Sequence, residues 1–221
     1  MSAAPVAATR LRELARRPAP ALAPAPAAPA ERCDLCAEPV PREHRHLLDL
    51  ADGAALCSCR ACALLFDRRE AGGRLYRLLP TRRIRLEGHR IDDLLWAALG
   101  VPVGLAFFVR DGRSGRTAVS YPSPLGAVRS TVDPAVWAEL ASALPGPARP
   151  ADDVEALLVN RAQEPHEHWI VPLDDCYRLV AVVRAHWKGL TGGREAWSRI
   201  ASFFAEPAPS APDHDGLREA T

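Results

Sequence analysis

Two Cys-x-x-Cys pairs constrain what the N-terminal part of this chain can fold into. Cys33-Asp-Leu-Cys36 and Cys59-Arg-Ala-Cys62 stand 22 residues apart, and five of the six cysteines fall between positions 33 and 62. Each pair can curl into a tight knuckle that aims two thiolates at one ion, and two knuckles complete a tetrahedron. The intervening span reads as a hairpin: a strand from Arg45 to Leu50, a turn at Asp52-Gly53, and a return strand from Ala54 to Ser58. A short helix from Ala61 to Phe66 would follow, which is the order of a zinc ribbon or treble clef. The expected ligands are Cys33, Cys36, Cys59 and Cys62, and the expected ion is zinc.

Rival chemistries meet specific objections. A disulfide framework needs an oxidising compartment, and five clustered cysteines are an odd number to pair. Iron is the stronger competitor, because four thiolates also hold iron or an iron–sulfur cluster. Rubredoxin-type sites usually carry Cys-Pro-x-Cys-Gly knuckles, and neither pair here has that proline or glycine. Cys57 is an alternative ligand, since residues 57 and 59 of a strand point to the same face. The plainer reading makes it a half-buried residue of the second strand. His44 and His46 can ligate too, although four cysteines already fill the shell and hairpin histidines are more often exposed.

Composition limits the rest. The chain has 221 residues, 48% apolar and 25% charged, enough for one ordinary core with a small satellite module. Its 28 basic against 27 acidic residues argue against a histone-like or acidic-tail protein. Residues 1–30 are rich in alanine and proline, with Arg10, Arg12, Glu13, Arg16 and Arg17 breaking any apolar stretch. That segment reads as a disordered arm rather than a secretory signal. The longest uncharged apolar run, Leu94 to Val109, is 16 residues and is interrupted by Gly100, Pro102 and Gly104, too short to span a bilayer. The expectation is a soluble, cytoplasmic protein. Lys188 is the single lysine, which the codon bias of a GC-rich genome explains.

The expected organisation is α+β: an arm (1–30), a four-cysteine zinc-ribbon-like module (31–70), an α/β domain with hairpin strands and C-terminal helices (71–206), and a flexible tail (207–221). Nine arginines against three acids between Arg60 and Arg90 suggest nucleic acid or an acidic partner, with a solvated face as the rival reading. Aromatic residues for stacking single strands are sparse there. Further on, Ile91 to Leu99 has helical spacing, Val103 to Val109 is a strand, and Thr117 to Tyr121 is its hairpin partner. Asp133-Pro134 starts a helix that buries Val136, Trp137, Leu140 and Leu144. Residues 154–161 read as a strand pairing with Trp169 to Val171. Asp174 or Asp175 is expected to cap a helix running to about Lys188, with Cys176 in its buried face. A last helix would bury Trp197, Ile200, Phe203 and Phe204. His166 and His168 are a conceivable metal pair, but an exposed turn is the default. No hydrolase or dinucleotide motif is present.

Several segments together carry a resemblance. Arg32-Cys-Asp-Leu-Cys-Ala37, Glu43-His-Arg-His-Leu47, Cys57-Ser-Cys-Arg-Ala-Cys-Ala-Leu-Leu-Phe66, Val103-Gly-Leu-Ala-Phe-Phe108, Tyr121-Pro-Ser-Pro124, Glu155-Ala-Leu-Leu-Val-Asn-Arg161 and Trp169-Ile-Val-Pro-Leu-Asp-Asp-Cys-Tyr-Arg-Leu179 resemble a bacterial family of unknown function. Its genes are associated with [NiFe]-hydrogenase clusters. The resemblance implies an accessory protein for assembly, maturation or support of such a hydrogenase, with a hydrogenase subunit or maturation factor as partner. It brings no catalytic residues with it; a non-enzymatic role is favoured, and an enzyme with Cys57 or Cys176 as its nucleophile is left open. A rubredoxin-like iron electron carrier and a nucleic-acid-binding zinc ribbon are the alternatives.

Overall fold

In a computed structural model, the structure describes residues 31–66, 75–88, 90–123, 126–144, 149–189 and 192–205. The arm at 1–30, the tail from 207 and the end of the expected metal module at 67–70 lie outside the described residues. The fold mixes helix and strand, with the cysteines at the N-terminal end and a sheet-rich domain closed by C-terminal helices.

The first sheet grows from the expected hairpin. Strands β1 (Arg45–Asp49) and β2 (Ala55–Ser58) pair antiparallel, with His46 opposite Cys57 and Leu48 opposite Ala55. Gly53 supplies the positive φ (76°) that the connecting turn requires. Helix α1 (Arg60–Phe66) follows directly. A third strand, β3 (Tyr76–Leu78), pairs with the other edge of β1 to give the order β2-β1-β3. The sheet thus takes its third strand from sequence beyond position 70.

The second sheet has six strands in the order β4-β9-β8-β5-β6-β7, every pairing antiparallel. They are β4 (Ile84–Arg85), β5 (Leu105–Arg110), β6 (Thr117–Ser123), β7 (Gly126–Thr131), β8 (Glu155–Asn160) and β9 (Glu167–Pro172). Helices lie on both faces. Helices α4 (Leu173–His186) and α5 (Gly193–Ala205) pack with Leu105, Phe107, Ala156, Leu158 and Val171. On the opposite face Ala106, Phe108, Leu157, Val159 and Ile170 meet Leu99, which follows α2 (Asp93–Ala98), and Leu140 of α3 (Pro134–Ala143). The two-residue alternation of strands sends successive side chains of β5 and β8 into opposite cores. Covered on both faces, β8 is buried along its whole length, which is why it reads as an apolar run rather than as alternation.

Most helix signals hold. Asp133 caps α3 by accepting from the Ala135 N–H at 2.8 Å, and Pro134 occupies the first turn. The expected cap of α4 is corrected. That helix begins at Leu173, with Pro172 at the N-cap position and no side-chain cap. Asp174 and Asp175 stand inside the first turn, where the helix dipole still favours them, but their carboxylates face His46 and Arg83.

The ribbon sheet is not a bead on a string. Leu48 and Leu79 are buried in the same core as Leu105, Val171, Leu173 and Ile200. Tyr177 of α4 donates its hydroxyl to the Gly53 carbonyl in the hairpin turn (3.0 Å). Four described arginines after the second knuckle pair with acids from later in the chain. Arg77 pairs with Asp153, Arg82 with Glu155, Arg83 with Asp175 and Arg85 with Glu167. Arg82 donates to both carboxylate oxygens of the buried Glu155, from Nε at 2.5 Å and from Nη2 at 2.6 Å. Among the described residues, no helix is long and apolar enough to cross a membrane.

Phe108 is fully buried between Trp96 and Trp137, whereas Leu94 on α2 is 85% exposed. Phe108→Ala is therefore expected to lower unfolding free energy by about 3–5 kcal/mol, and Leu94→Ala by less than about 0.5 kcal/mol. Urea denaturation of the two variants checks the contrast.

Candidate metal centre

The four expected ligands converge. Cys33, Cys36, Cys59 and Cys62 have all their sulfurs within 4.8 Å of one another, and none is in a disulfide. A tetrahedron with metal–sulfur arms of about 2.3 Å has edges of roughly 3.8 Å. The Cys36 and Cys59 sulfurs are 3.6 Å apart, already at that edge length. Four close cysteines of this kind can hold a metal ion.

Local backbone builds each knuckle. In the first, the Cys33 N–H donates to Glu38 O and the Ala37 N–H donates to Cys33 O, both at 2.8 Å, so the chain doubles back around the thiols. An Arg32–Pro39 bridge closes the base of the loop. Ala37 takes a positive φ of 63°, a left-handed conformation that usually selects glycine and costs a side-chain-bearing residue about 1–2 kcal/mol. The second knuckle lies where β2 runs into α1, and the Cys62 N–H points at the Cys59 sulfur (3.4 Å). Asp34 fastens one knuckle to the other. Its N–H donates to Cys57 O at 2.9 Å, and its carboxylate accepts from the Cys57 N–H at 2.6 Å.

The apolar support beneath the thiols is small. Cys33, Val40 and Cys62 are its buried members, with Leu35, Cys59 and Phe66 packed alongside. Electrostatics divide the cluster. Burial opposes ionisation of Cys33, but backbone N–H groups of Cys59, Leu35 and Cys36 outweigh it and bring the thiol down to about 6. Cys62 is pushed the other way, by burial and by hydrogen bonding to the neighbouring cysteines. Without a cation, then, the group favours one thiolate over several.

The structure does not bring Cys57 into this group. It sits in β2 and joins a separate set with His44 and His46, three donor atoms again within 4.8 Å of one another. Neither histidine is an exposed hairpin residue: the His44 side chain is buried and that of His46 half-buried. Sequence reasoning named each of these residues but had no signal that would join them, because their meeting depends on strand register and on Asp174 from α4. His166 pairs with Glu164 in the turn, and His168 is buried in β9. Cys176 is fully buried in α4 and its thiol is raised well above the usual range by that burial, which suits a core residue and not a nucleophile.

Replacing one thiol should release the metal and loosen its surroundings. Cys36→Ser is expected to lose zinc to a chelator that leaves the wild type about one tight equivalent. Amide exchange should then rise in residues 31–40 and 59–66, with β5 and β8 still protected, because the thin thiol-side core is separate from the large one. Metal capture displaces thiol protons, so zinc affinity should fall as pH falls, roughly tenfold per pH unit for each proton displaced. Competition titrations between pH 6 and 8 measure that slope; a flat profile would argue against thiolate ligation.

No curated protein and no solved structure matches the chain. A family match does cover residues 32–210, spanning the cysteine cluster, both sheets and the C-terminal helices, and its description says nothing of hydrogenases. The chain therefore belongs to the family of unknown function DUF5947.

Proposed function

We propose that this protein is a cytoplasmic accessory factor that works by protein–protein interaction, with a structural zinc ion on Cys33, Cys36, Cys59 and Cys62. The observation that carries the reading is the donor set. Four thiols at tetrahedral spacing saturate an ion and leave no coordination position for a substrate. Zinc suits a site whose task is to hold two knuckles together over three buried residues, since its binding free energy becomes folding free energy. The partner proposed is a subunit or maturation factor of a [NiFe]-hydrogenase, and that setting rests on the sequence resemblance alone.

Charge placement weighs against the nucleic-acid alternative. Four arginines of the basic stretch are already paired with carboxylates of the large domain, which leaves less free charge to release counterions from a phosphate backbone. The iron electron carrier uses the same four thiols and is separated from zinc by colour.

The test is metal content and visible spectrum of anaerobically purified protein, followed by binding to isolated hydrogenase subunits and maturation factors. One tight zinc, no visible bands and a hydrogenase-system partner lost in Cys36→Ser are expected. Iron with visible bands and a reversible one-electron couple would replace zinc by electron transfer. Failure to bind any hydrogenase component would remove the setting, and affinity for DNA or RNA falling steeply with salt would favour the nucleic-acid reading.

A further inference from the structure

We propose that His44, His46 and Cys57 form a second metal site, distinct from the four-cysteine centre, that takes a divalent transition-metal ion and leaves one coordination position open. The backbone places the three donors together. His46 and Cys57 are directly opposed across the β1–β2 ladder, so their side chains leave the same face of the hairpin. His44 precedes His46 by two residues, and their rings lie 4.6 Å apart, tilted by 57°. The three donor atoms fall within 4.8 Å of one another, close enough for one ion to reach all three.

The hydrogen bonds outside the cluster prepare the imidazoles as ligands. His44 Nδ1 lies 2.9 Å from Pro41 O, an atom that can only accept, so Nδ1 carries the proton. Nδ1 also lies 3.6 Å from a Glu31 carboxylate oxygen. His46 Nδ1 lies 2.9 Å from the Asp174 carboxylate, which fixes its proton on the same nitrogen. With Nδ1 engaged on each ring, Nε2 is the nitrogen left to ligate an ion. A carboxylate or carbonyl behind the ring is the usual outer partner of a metal-bound histidine, setting its tautomer and raising its basicity.

His44 gives the independent sign of a missing partner. Its side chain is only 5% exposed, and Nε2 is buried with no hydrogen bond to the protein. Leaving a buried polar atom unpaired is unfavourable, and a cation shared with His46 and Cys57 would satisfy it. Two imidazoles and one thiolate suit zinc, cobalt, nickel or copper(II) and not the oxygen-seeking magnesium or calcium. Among the described residues no fourth cysteine, histidine or carboxylate joins the group. Three protein donors leave the fourth position to water or to an incoming ligand, the arrangement of exchangeable and reactive sites rather than of structural ones. Asp174 belongs to α4, so an ion here would also tie the ribbon to the large domain.

The experiment is a Co(II) titration of the full-length chain, stripped of metal under anaerobic reducing conditions, read by absorbance and by equilibrium dialysis. Wild type should take up two equivalents, one with a four-thiolate spectrum and one with weaker sulfur-to-cobalt charge transfer. His46→Ala and Cys57→Ser should each take up one, with the four-thiolate spectrum intact. Cys36→Ser should do the converse, so failure of the zinc-knuckle reading is visible separately from failure of this one. Asp174→Ala, which keeps all three donors, should weaken only the second equivalent, by about 10–100-fold. A wild type that takes up no equivalent with the weaker charge transfer overturns the proposal. So does a second equivalent that persists in both His46→Ala and Cys57→Ser, or one that Asp174→Ala leaves at wild-type affinity.

Discussion

Too little buried surface under the thiols is the constraint on which the N-terminal architecture depends. Cys33, Val40 and Cys62 are the buried residues there, and two of the three are themselves candidate ligands. Hydrophobic burial of that size does not fix two loops in a mutual geometry against their chain entropy. The backbone bonds of Asp34 to Cys57 align the knuckles but add only about 1 kcal/mol each. An ion binding all four sulfurs would supply what the apolar core lacks. The left-handed Ala37 fits the same account, since a costly backbone conformation persists only where its surroundings over-determine it.

A second level of attachment keeps the module from moving freely. Leu48 and Leu79 reach into the large core, Tyr177 holds the hairpin turn, and Asp174 holds His46. These contacts come from opposite ends of the sequence. The ribbon and the first two turns of α4 therefore form one continuous surface. The arginines that follow the second knuckle extend it, pairing with Asp153, Glu155, Glu167 and Asp175 from the later strands and α4. Four of the arginines that read as a basic patch along the sequence are thus engaged with carboxylates of the large domain.

This explains which parts of the fold were legible in the sequence. The ribbon hairpin, α1, the buried strand β8 and the Asp133 cap all follow from local rules: turn glycines, continuous apolar runs, an acid before a proline. Strand β7 escaped notice because Gly126-Ala-Val-Arg-Ser-Thr131 is an exposed edge with no alternation to detect. Strands β3 and β4 were hidden inside the arginine-rich stretch, where charge masked short pairing segments of three and two residues. The cap of α4 failed for a tertiary reason. Asp174 and Asp175 have the chemistry of caps, but His46 and Arg83, more than ninety residues earlier in the chain, hold them in other directions.

The candidate sites divide along the same line. Two Cys-x-x-Cys pairs announce themselves because each knuckle is local, and only the 22-residue span between them must fold back. The set of His44, His46 and Cys57 has no such signature. His46 and Cys57 are ordinary strand residues, with His44 just before β1, until the β1–β2 register sets His46 opposite Cys57 and α4 brings Asp174 behind the ring. The donor chemistry then differs in consequence. Four thiolates close a coordination shell and favour permanence, whereas two imidazoles and one thiolate leave it open and favour exchange. An ion on the four thiols would give this small module a scaffold, and the proposed three-donor site, two residues away along the chain at Cys57, would give it a place where something can arrive.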